Sequence, residues 1–269
     1  MSIKSTSYRY LLIFLLGLLL VSLLGNFLLY QELKATYLGL YQVSLNPLGI
    51  NRYNNQQAQN LAEQPRVIFY GDSRAFQWKA PEIDTFEFMN RGISGQTSAQ
   101  VLERFEAHIT DLKPKIIVLQ VGINDLRMLP SNSQTREDIV RDCQDNIFQI
   151  VERANNLEAN IIVTTIFPLG KGNIPLRLRP FWHSISEIEQ SINEVNEYIR
   201  TISDRPTPSF QSRLNSISDQ RIVVFDAYSL LNQEDPNKVK YYKDLLHLNR
   251  KGYQLLNQNL KSILNNIGT

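Results

Sequence analysis

Four short runs of β-branched and aliphatic residues constrain this chain more than anything else in it. They are Arg66-Val67-Ile68-Phe69-Tyr70, Lys115-Ile116-Ile117-Val118-Leu119-Gln120-Val121, Asn160-Ile161-Ile162-Val163-Thr164-Thr165-Ile166 and Arg221-Ile222-Val223-Val224-Phe225. A strand with one wet face alternates apolar and polar residues. These runs are apolar almost without a break, so both faces must be buried, as in a parallel sheet covered by helices. Phe86-Glu87-Phe88-Met89 is a weaker fifth candidate. Between the runs the period lengthens: Ile185, Ile188, Ile192, Val195, Ile199 and Ile202 trace one apolar stripe along a helix, and residues 97–110, 135–157 and 249–266 read as further helices. Strands and helices alternating through right-handed crossovers predict a doubly wound α/β sandwich, whose sites lie at the carboxyl ends of the strands.

Ahead of this pattern lies a different kind of segment. Residues 11–30, LLIFLLGLLLVSLLGNFLLY, hold no charge, and only Gly17, Ser22, Gly25 and Asn26 fall outside the apolar set. At about 1.5 Å per residue such a run reaches about 30 Å, the thickness of a hydrocarbon core. It exceeds the usual signal-peptide core, and no clean small-x-small cleavage site follows it before Lys34-Ala35-Thr36. The reading is a transmembrane anchor over 10–30; cleavage would instead give a secreted protein. Lys4 and Arg9 precede the run with no acidic residue, which by the positive-inside bias puts residues 1–9 in the cytoplasm and the rest outside. Those two charges are also the whole excess of 28 basic over 26 acidic residues. The remainder is formally neutral and lacks the basic balance that nucleic-acid binding leaves in a composition.

Residues 31–64 contain Asn46-Pro47-Leu48-Gly49 and the amide-rich stretch 54–60, and read as a stem, leaving 65–269 as the folded domain. A single cysteine, Cys143, excludes an internal disulfide framework and a Cys-based zinc cage.

Polar residues cluster where the runs end. After the first comes Gly71-Asp72-Ser73-Arg74, where a serine at a strand-to-helix turn would expose its Oγ and set its amide near a helix N-terminus. Gly-Asp-Ser alone arises by chance in on the order of one chain in ten of this length, and an N-cap serine is the plain alternative. Asn90-Arg91-Gly92-Ile93-Ser94-Gly95-Gln96-Thr97-Ser98 and Gly122-Ile123-Asn124-Asp125 follow the next two strands and read either as turns or as sources of N–H donors. Asp244-Leu245-Leu246-His247 precedes the last helix, at a spacing that lets a carboxylate reach an imidazole and fix its tautomer. His108, inside a helix pattern, and His183 are read as structural.

These blocks, in this order, resemble the SGNH hydrolases, also called GDSL-type esterases and lipases, over about residues 65–266. The resemblance implies a three-layer α/β/α sandwich with a five-stranded parallel sheet of flavodoxin-like type, and a carboxylic ester as substrate. It implies that Ser73 is the nucleophile, His247 the general base and Asp244 its orienting acid. It also implies that Ser73 N–H, Gly95 N–H and the Asn124 side chain form the oxyanion hole, Gly92 being the less favoured register. Neither metal nor cofactor is required. Arg74 stands where many members carry leucine or isoleucine, which suggests a more polar pocket edge. No glycine lies two residues after Ser73, so the G-x-S-x-G elbow of α/β-hydrolases is absent. The segment 169–183, with Arg177, Arg179, Phe181 and Trp182, is either a lid or substrate contact or a solvated loop. The family includes thioesterases, lysophospholipases and acetylesterases. An acyltransferase using the same residues and a catalytically silent envelope scaffold are the rival readings.

Overall fold

A computed structural model of the chain describes residues 3–56, 64–128, 134–170, 182–204, 222–232 and 241–268. The chain divides into two units, Met1–Pro47 and Leu48–Thr269. The first is one helix, α1 (Ile3–Leu45), within which Tyr8–Leu40 is long and apolar enough to cross a membrane.

The second unit is built on five parallel strands: β1 (Arg66–Gly71), β2 (Glu87–Gly92), β3 (Ile116–Gln120), β4 (Asn160–Thr164) and β5 (Ile222–Phe225). Their order across the sheet is β2-β1-β3-β4-β5. The four apolar runs and the weaker fifth candidate all became strands. Each strand feeds two cores at once, because successive side chains point to opposite faces. Ile68, Tyr70, Ile117, Leu119, Ile161 and Val163 face one core, and Val67, Phe69, Ile116, Val118, Ile162 and Phe225 face the other.

Among the described residues, the helices of the second unit are α2 (Ser73–Phe76), α3 (Ser98–Glu103), α4 (Phe105–Ile109), α5 (Ile123–Leu126), α6 (Arg136–Asn156), α7 (Trp182–Arg200), α8 (Ala227–Asn232) and α9 (Arg250–Gly268). The isoleucine stripe of α7 lies wholly in the first core, although its last member, Ile202, sits in a 3-10 turn beyond the helix end. On the other face α9 presents Leu256, Leu260 and Leu264, all fully buried. The helix expected over 97–110 is broken at Arg104, whose backbone leaves helical geometry while its buried guanidinium bonds to the ends of β1 and β2.

The largest departure concerns the expected stem over 31–64. Helix α1 continues to Leu45, and the second unit begins at Leu48 rather than Pro65. The Leu48 carbonyl accepts from Gln96 Nε2 at 2.9 Å, the Ile50 carbonyl from His108 Nε2 at 3.0 Å, and the Tyr53 hydroxyl donates to the Gly92 carbonyl at 2.5 Å. Turn-rich composition marked a linker, but its carbonyls are bound by buried side chains distant in sequence.

The sheet reverses direction of winding between β1 and β3, the place where doubly wound sheets open a crevice. The two strands approach closely there. Gly71 at the end of β1 has φ +141°, and a Cβ on it would lie 1.8 Å from the Gln120 carbonyl oxygen. Gly71→Ala should therefore destabilise the unit by about 4 kcal/mol or more, the range reserved for backbone collisions and core disruption. Equilibrium urea denaturation measures it, and a loss below about 1 kcal/mol would contradict the tight approach.

Candidate active site

The chain leaves β1 at Gly71 and turns at once into α2. Asp72 is the N-cap, its Oδ1 accepting from Arg74 N at 2.8 Å, so Ser73 begins the helix and is 7% exposed. Asp72 N donates to the Gln120 carbonyl at 3.1 Å, and Ile93 N donates to the Gly71 carbonyl at 2.9 Å. The ends of β1, β2 and β3 are thereby tied together around the serine.

His247 Nε2 lies 3.1 Å from Ser73 Oγ. Its Nδ1 lies 3.0 and 2.9 Å from the two Asp244 carboxylate oxygens. This requires Nδ1 to carry the proton and leaves the Nε2 lone pair toward the serine. Asp244 and His247 do not sit on a helical turn. They lie in a loop closed by an antiparallel bridge between Tyr242 and Leu248, and Asp244 Oδ1 accepts from the backbone N–H groups of Leu246 and His247, both at 2.8 Å. Partial burial works to raise the Asp244 pKa, but these N–H donors and His247 outweigh it and hold the carboxyl below its ordinary value.

Asn124 sits at the start of α5, and its Nδ2 donates to the Gln96 carbonyl at 2.9 Å. An amide nitrogen carries two hydrogens, so one remains for another acceptor. The next residue, Asp125, accepts from Ser98 N at 2.9 Å and Ser98 Oγ at 2.6 Å, fastening α5 to the start of α3. Burial pushes the Asp125 carboxyl up to about 6. Of the two candidate glycines, the Gly92 N–H already donates to Asn90 Oδ1 at 2.9 Å. The Gly95 residue is exposed, and a Cβ on it would meet nothing within 4 Å. Ser73, Asn124, Asp244 and His247 are thus linked directly or through one loop, with Gly95 beside Gln96 in that loop.

Arg74 departs from expectation. Instead of making the pocket edge polar, it is fully buried, donating from Nε to the Leu246 carbonyl at 2.9 Å and from Nη1 to the Phe167 carbonyl at 3.0 Å, with its guanidinium over the Phe167 ring. It pins the serine helix to the histidine loop and to the chain beyond β4. Tyr242 Oη donates to the Pro168 carbonyl at 2.8 Å, and Gly170 N to the Leu245 carbonyl at 2.8 Å, strengthening the same junction. The candidate lid falls mostly outside the described residues, which omit 171–181 and the side chains of 182–184.

Sequence reasoning missed Gln96 and Arg104. Arg104 donates to the Gly71 carbonyl at 2.8 Å, to the Arg91 carbonyl at 2.9 Å and to Gln96 Oε1. A signal existed, since Val101, Arg104, Phe105, His108 and Ile109 fall at i, i+3, i+4, i+7 and i+8, the pattern of one buried helix face. His108 is on that face too, its Nδ1 accepting from Arg104; burial lowers its pKa, and its role is structural. Cys143 is buried, with its thiol pKa raised by burial. Among the described residues no cluster of ligating side chains could hold a metal ion.

The doubly wound sheet thus brings a serine, a histidine and a carboxylate into one hydrogen-bonded series beside its switch point. Residues 51–255 match the GDSL-like Lipase/Acylhydrolase family, and the chain belongs to it, as a hydrolase acting on ester bonds. Among solved structures, it resembles a GDSL-like lipase from Bacteroides thetaiotaomicron, at 24% identity over 81% of this chain and 98% of that one, with TM-score 0.59. It also resembles Axe2, an acetylxylan esterase from Geobacillus stearothermophilus, at 16% identity over 76% and 94% of the two chains, with TM-score 0.53. A curated relative, the uncharacterized lipoprotein YqeF of Bacillus subtilis, is 29% identical over 124 residues, 40% of this chain and 50% of that protein. The chain spans about half the length of that relative.

Asp72 supplies a test of the site's electrostatics. It is fully buried, its Oδ2 makes no hydrogen bond among the described residues, and burial pushes its pKa up to about 7. A raised carboxyl binds a proton in the folded state that the unfolded chain has released, so its contribution to stability falls between about pH 4 and pH 7. Asp72→Asn keeps the oxygen that caps Arg74 N and removes the ionisation. The variant should gain on the unsubstituted protein in thermal melts as pH rises from 5 to 8; a constant difference in melting temperature would show that Asp72 does not titrate there.

Proposed function

We propose that the protein is a membrane-anchored serine esterase that removes acyl groups, acetyl foremost, from O-acylated glycans by way of an acyl-enzyme. The observation that carries this reading is the series Ser73 Oγ, His247 Nε2, His247 Nδ1 and the Asp244 carboxylate, with contacts of 3.1 and 2.9 Å. His247 takes the Ser73 proton as Oγ attacks the ester carbonyl. Asp244 stays ionised and stabilises the imidazolium that forms. Ser73 N–H, Gly95 N–H and the second hydrogen of Asn124 Nδ2 receive the oxyanion. The imidazolium protonates the departing alcohol, and water, deprotonated in turn by His247, releases the acid and restores the serine.

The acetyl preference draws support from the acetylxylan esterase relative, and the membrane anchor from helix α1 and the lipoprotein relative. Lys4 and Arg9, with no acidic residue before the apolar run, favour a cytoplasmic N-terminus and a catalytic unit outside. The substrates there would be envelope glycans or lipids carrying esters.

Two substitutions separate the roles. Ser73→Ala should abolish hydrolysis of p-nitrophenyl acetate and labelling by a fluorophosphonate probe while the protein stays folded. Asn124→Ala should retain labelling in outline but lose about 100- to 1,000-fold in kcat, the usual effect of deleting one oxyanion donor. Undiminished turnover by Ser73→Ala would overturn the assignment, and product analysis with an added alcohol acceptor distinguishes hydrolysis from transfer.

A further inference from the structure

A groove of about 1180 Å³ lies between the residues that follow α2 and the first half of α9. Neither Ser73 nor His247 lines it, so it is not the reaction centre, yet it is joined to that centre at two points. Helix α2 begins with Ser73 and ends with Phe76, which lines the groove, and Lys243, also in the lining, immediately precedes Asp244.

The lining is electrostatically one-sided. It holds Lys79, Lys243, Arg250 and Lys261 against one carboxylate, Glu82. The chain outside the α1 region is formally neutral, so this excess is local. None of the four cations makes an ion pair among the described residues. Lys243 Nζ instead donates to the neutral amide oxygen of Gln77 at 2.6 Å. Unneutralised like charges in one concavity attract a counter-anion. The rest of the lining selects its kind, since Gln77, Gln254 and Gln258 supply amide donors and acceptors beside the 43% exposed ring of Phe76. Amides suit hydroxyl groups, and the Arg52 guanidinium, 5.3 Å over the Phe76 ring, adds a further cation at that end. A lipid surface would call for aliphatic side chains free to insert, and the aliphatic lining residues here are the small Ala80 and Pro81 and the buried Leu248.

We propose that the groove is a subsite for an acidic glycan, holding carboxylated sugars of a chain whose neighbouring O-acyl group enters at Ser73. Three residues, about 4.5 Å of helical rise, separate the two ends of α2, comparable with one sugar residue. The use of the subsite in catalysis rests on the esterase reading above, whereas binding of a polyanion does not.

The test uses the full-length protein in neutral detergent and measures binding of sodium polygalacturonate by calorimetry, with dextran as the uncharged control. Polygalacturonate should bind, weaken as salt is raised, and exceed dextran by at least about tenfold. Lys79→Gln/Arg250→Gln/Lys261→Gln should weaken it about tenfold, the combined effect of three exposed charge contacts. Equal binding of dextran, or an unaffected triple variant, would overturn the proposal. So would tighter binding of soluble dihexanoylphosphatidylglycerol, which would assign the groove to lipid headgroups. In a second arm, acetate release from O-acetylated polygalacturonate should show the triple variant's loss in KM rather than kcat. Binding without any acetate release would refute the esterase reading and leave the subsite standing; release with no charge dependence would do the reverse.

Discussion

The guanidinium of Arg104 is the point on which the site's geometry depends. It is fully buried and donates to the carbonyls of Gly71 and Arg91, the terminal turns of β1 and β2, and to the side chain of Gln96 in the loop that carries Gly95. Strand ends normally leave their last carbonyls to water. Here they are shut off from water, and the Gly71 carbonyl, which already accepts from Ile93 N, takes Arg104 as a second, charge-assisted donor. One planar group with donors in a fixed fork meets several of them at once and sets the spacing between the serine turn and the oxyanion loop. The cation itself is costly to bury, and burial lowers its pKa, so the four acceptors on Gln96, Arg91, His108 and Gly71 are what make it tolerable.

The same network explains why the folded unit begins before its first strand. Gln96 uses its side-chain oxygen for Arg104, its side-chain nitrogen for the Leu48 carbonyl and its backbone carbonyl for Asn124. His108, bonded to Arg104, reaches the Ile50 carbonyl. Residues 48–53 therefore complete the hydrogen bonding of side chains one or two contacts away from the serine. The stretch adjoining α1 in sequence is part of the support of the site.

Much of this was legible beforehand, for identifiable reasons. Strands buried on both faces must be continuously apolar, so β1, β3 and β4 announced themselves; of the two edge strands, β5 is only partly buried but keeps the apolar run Ile222–Phe225, whereas β2 carries Glu87, Asn90 and Arg91 and was correspondingly faint. Ser73, Asn124 and the Asp244–His247 pair could be singled out because each lies at a strand end or just before the last helix, within a few residues of its neighbours in the motif. Arg74 and Arg104 could not be read so easily. An arginine becomes interior only when acceptors arrive from elsewhere, and the partner of Arg74 at Leu246 is 172 residues away. Local composition carries no trace of such a pairing, and an arginine beside the nucleophile looked like a polar rim. The boundary at Leu48 was missed for the same reason.

Two aspartates flank the reacting pair, and their environments separate their roles. Asp72 adjoins Ser73 but is sealed from water, with one oxygen unpartnered and its acid form favoured up to about pH 7. Asp244 is 47% exposed in its side chain, accepts two backbone N–H bonds, and remains ionised below the ordinary carboxylate range. In the mechanism we propose, the group that stabilises the imidazolium has to be an anion before the proton moves, and of these two aspartates Asp244 is the one held in its ionised form. Asp72 acts on the backbone instead, capping the short helix that presents Ser73. Arg74 then links the two arrangements, because the same residue whose N–H is capped by Asp72 holds the carbonyl of Leu246 next to His247. The buried guanidinium of Arg74 thereby ties the serine turn to the histidine loop, across which His247 Nε2 lies 3.1 Å from Ser73 Oγ, without itself touching either atom.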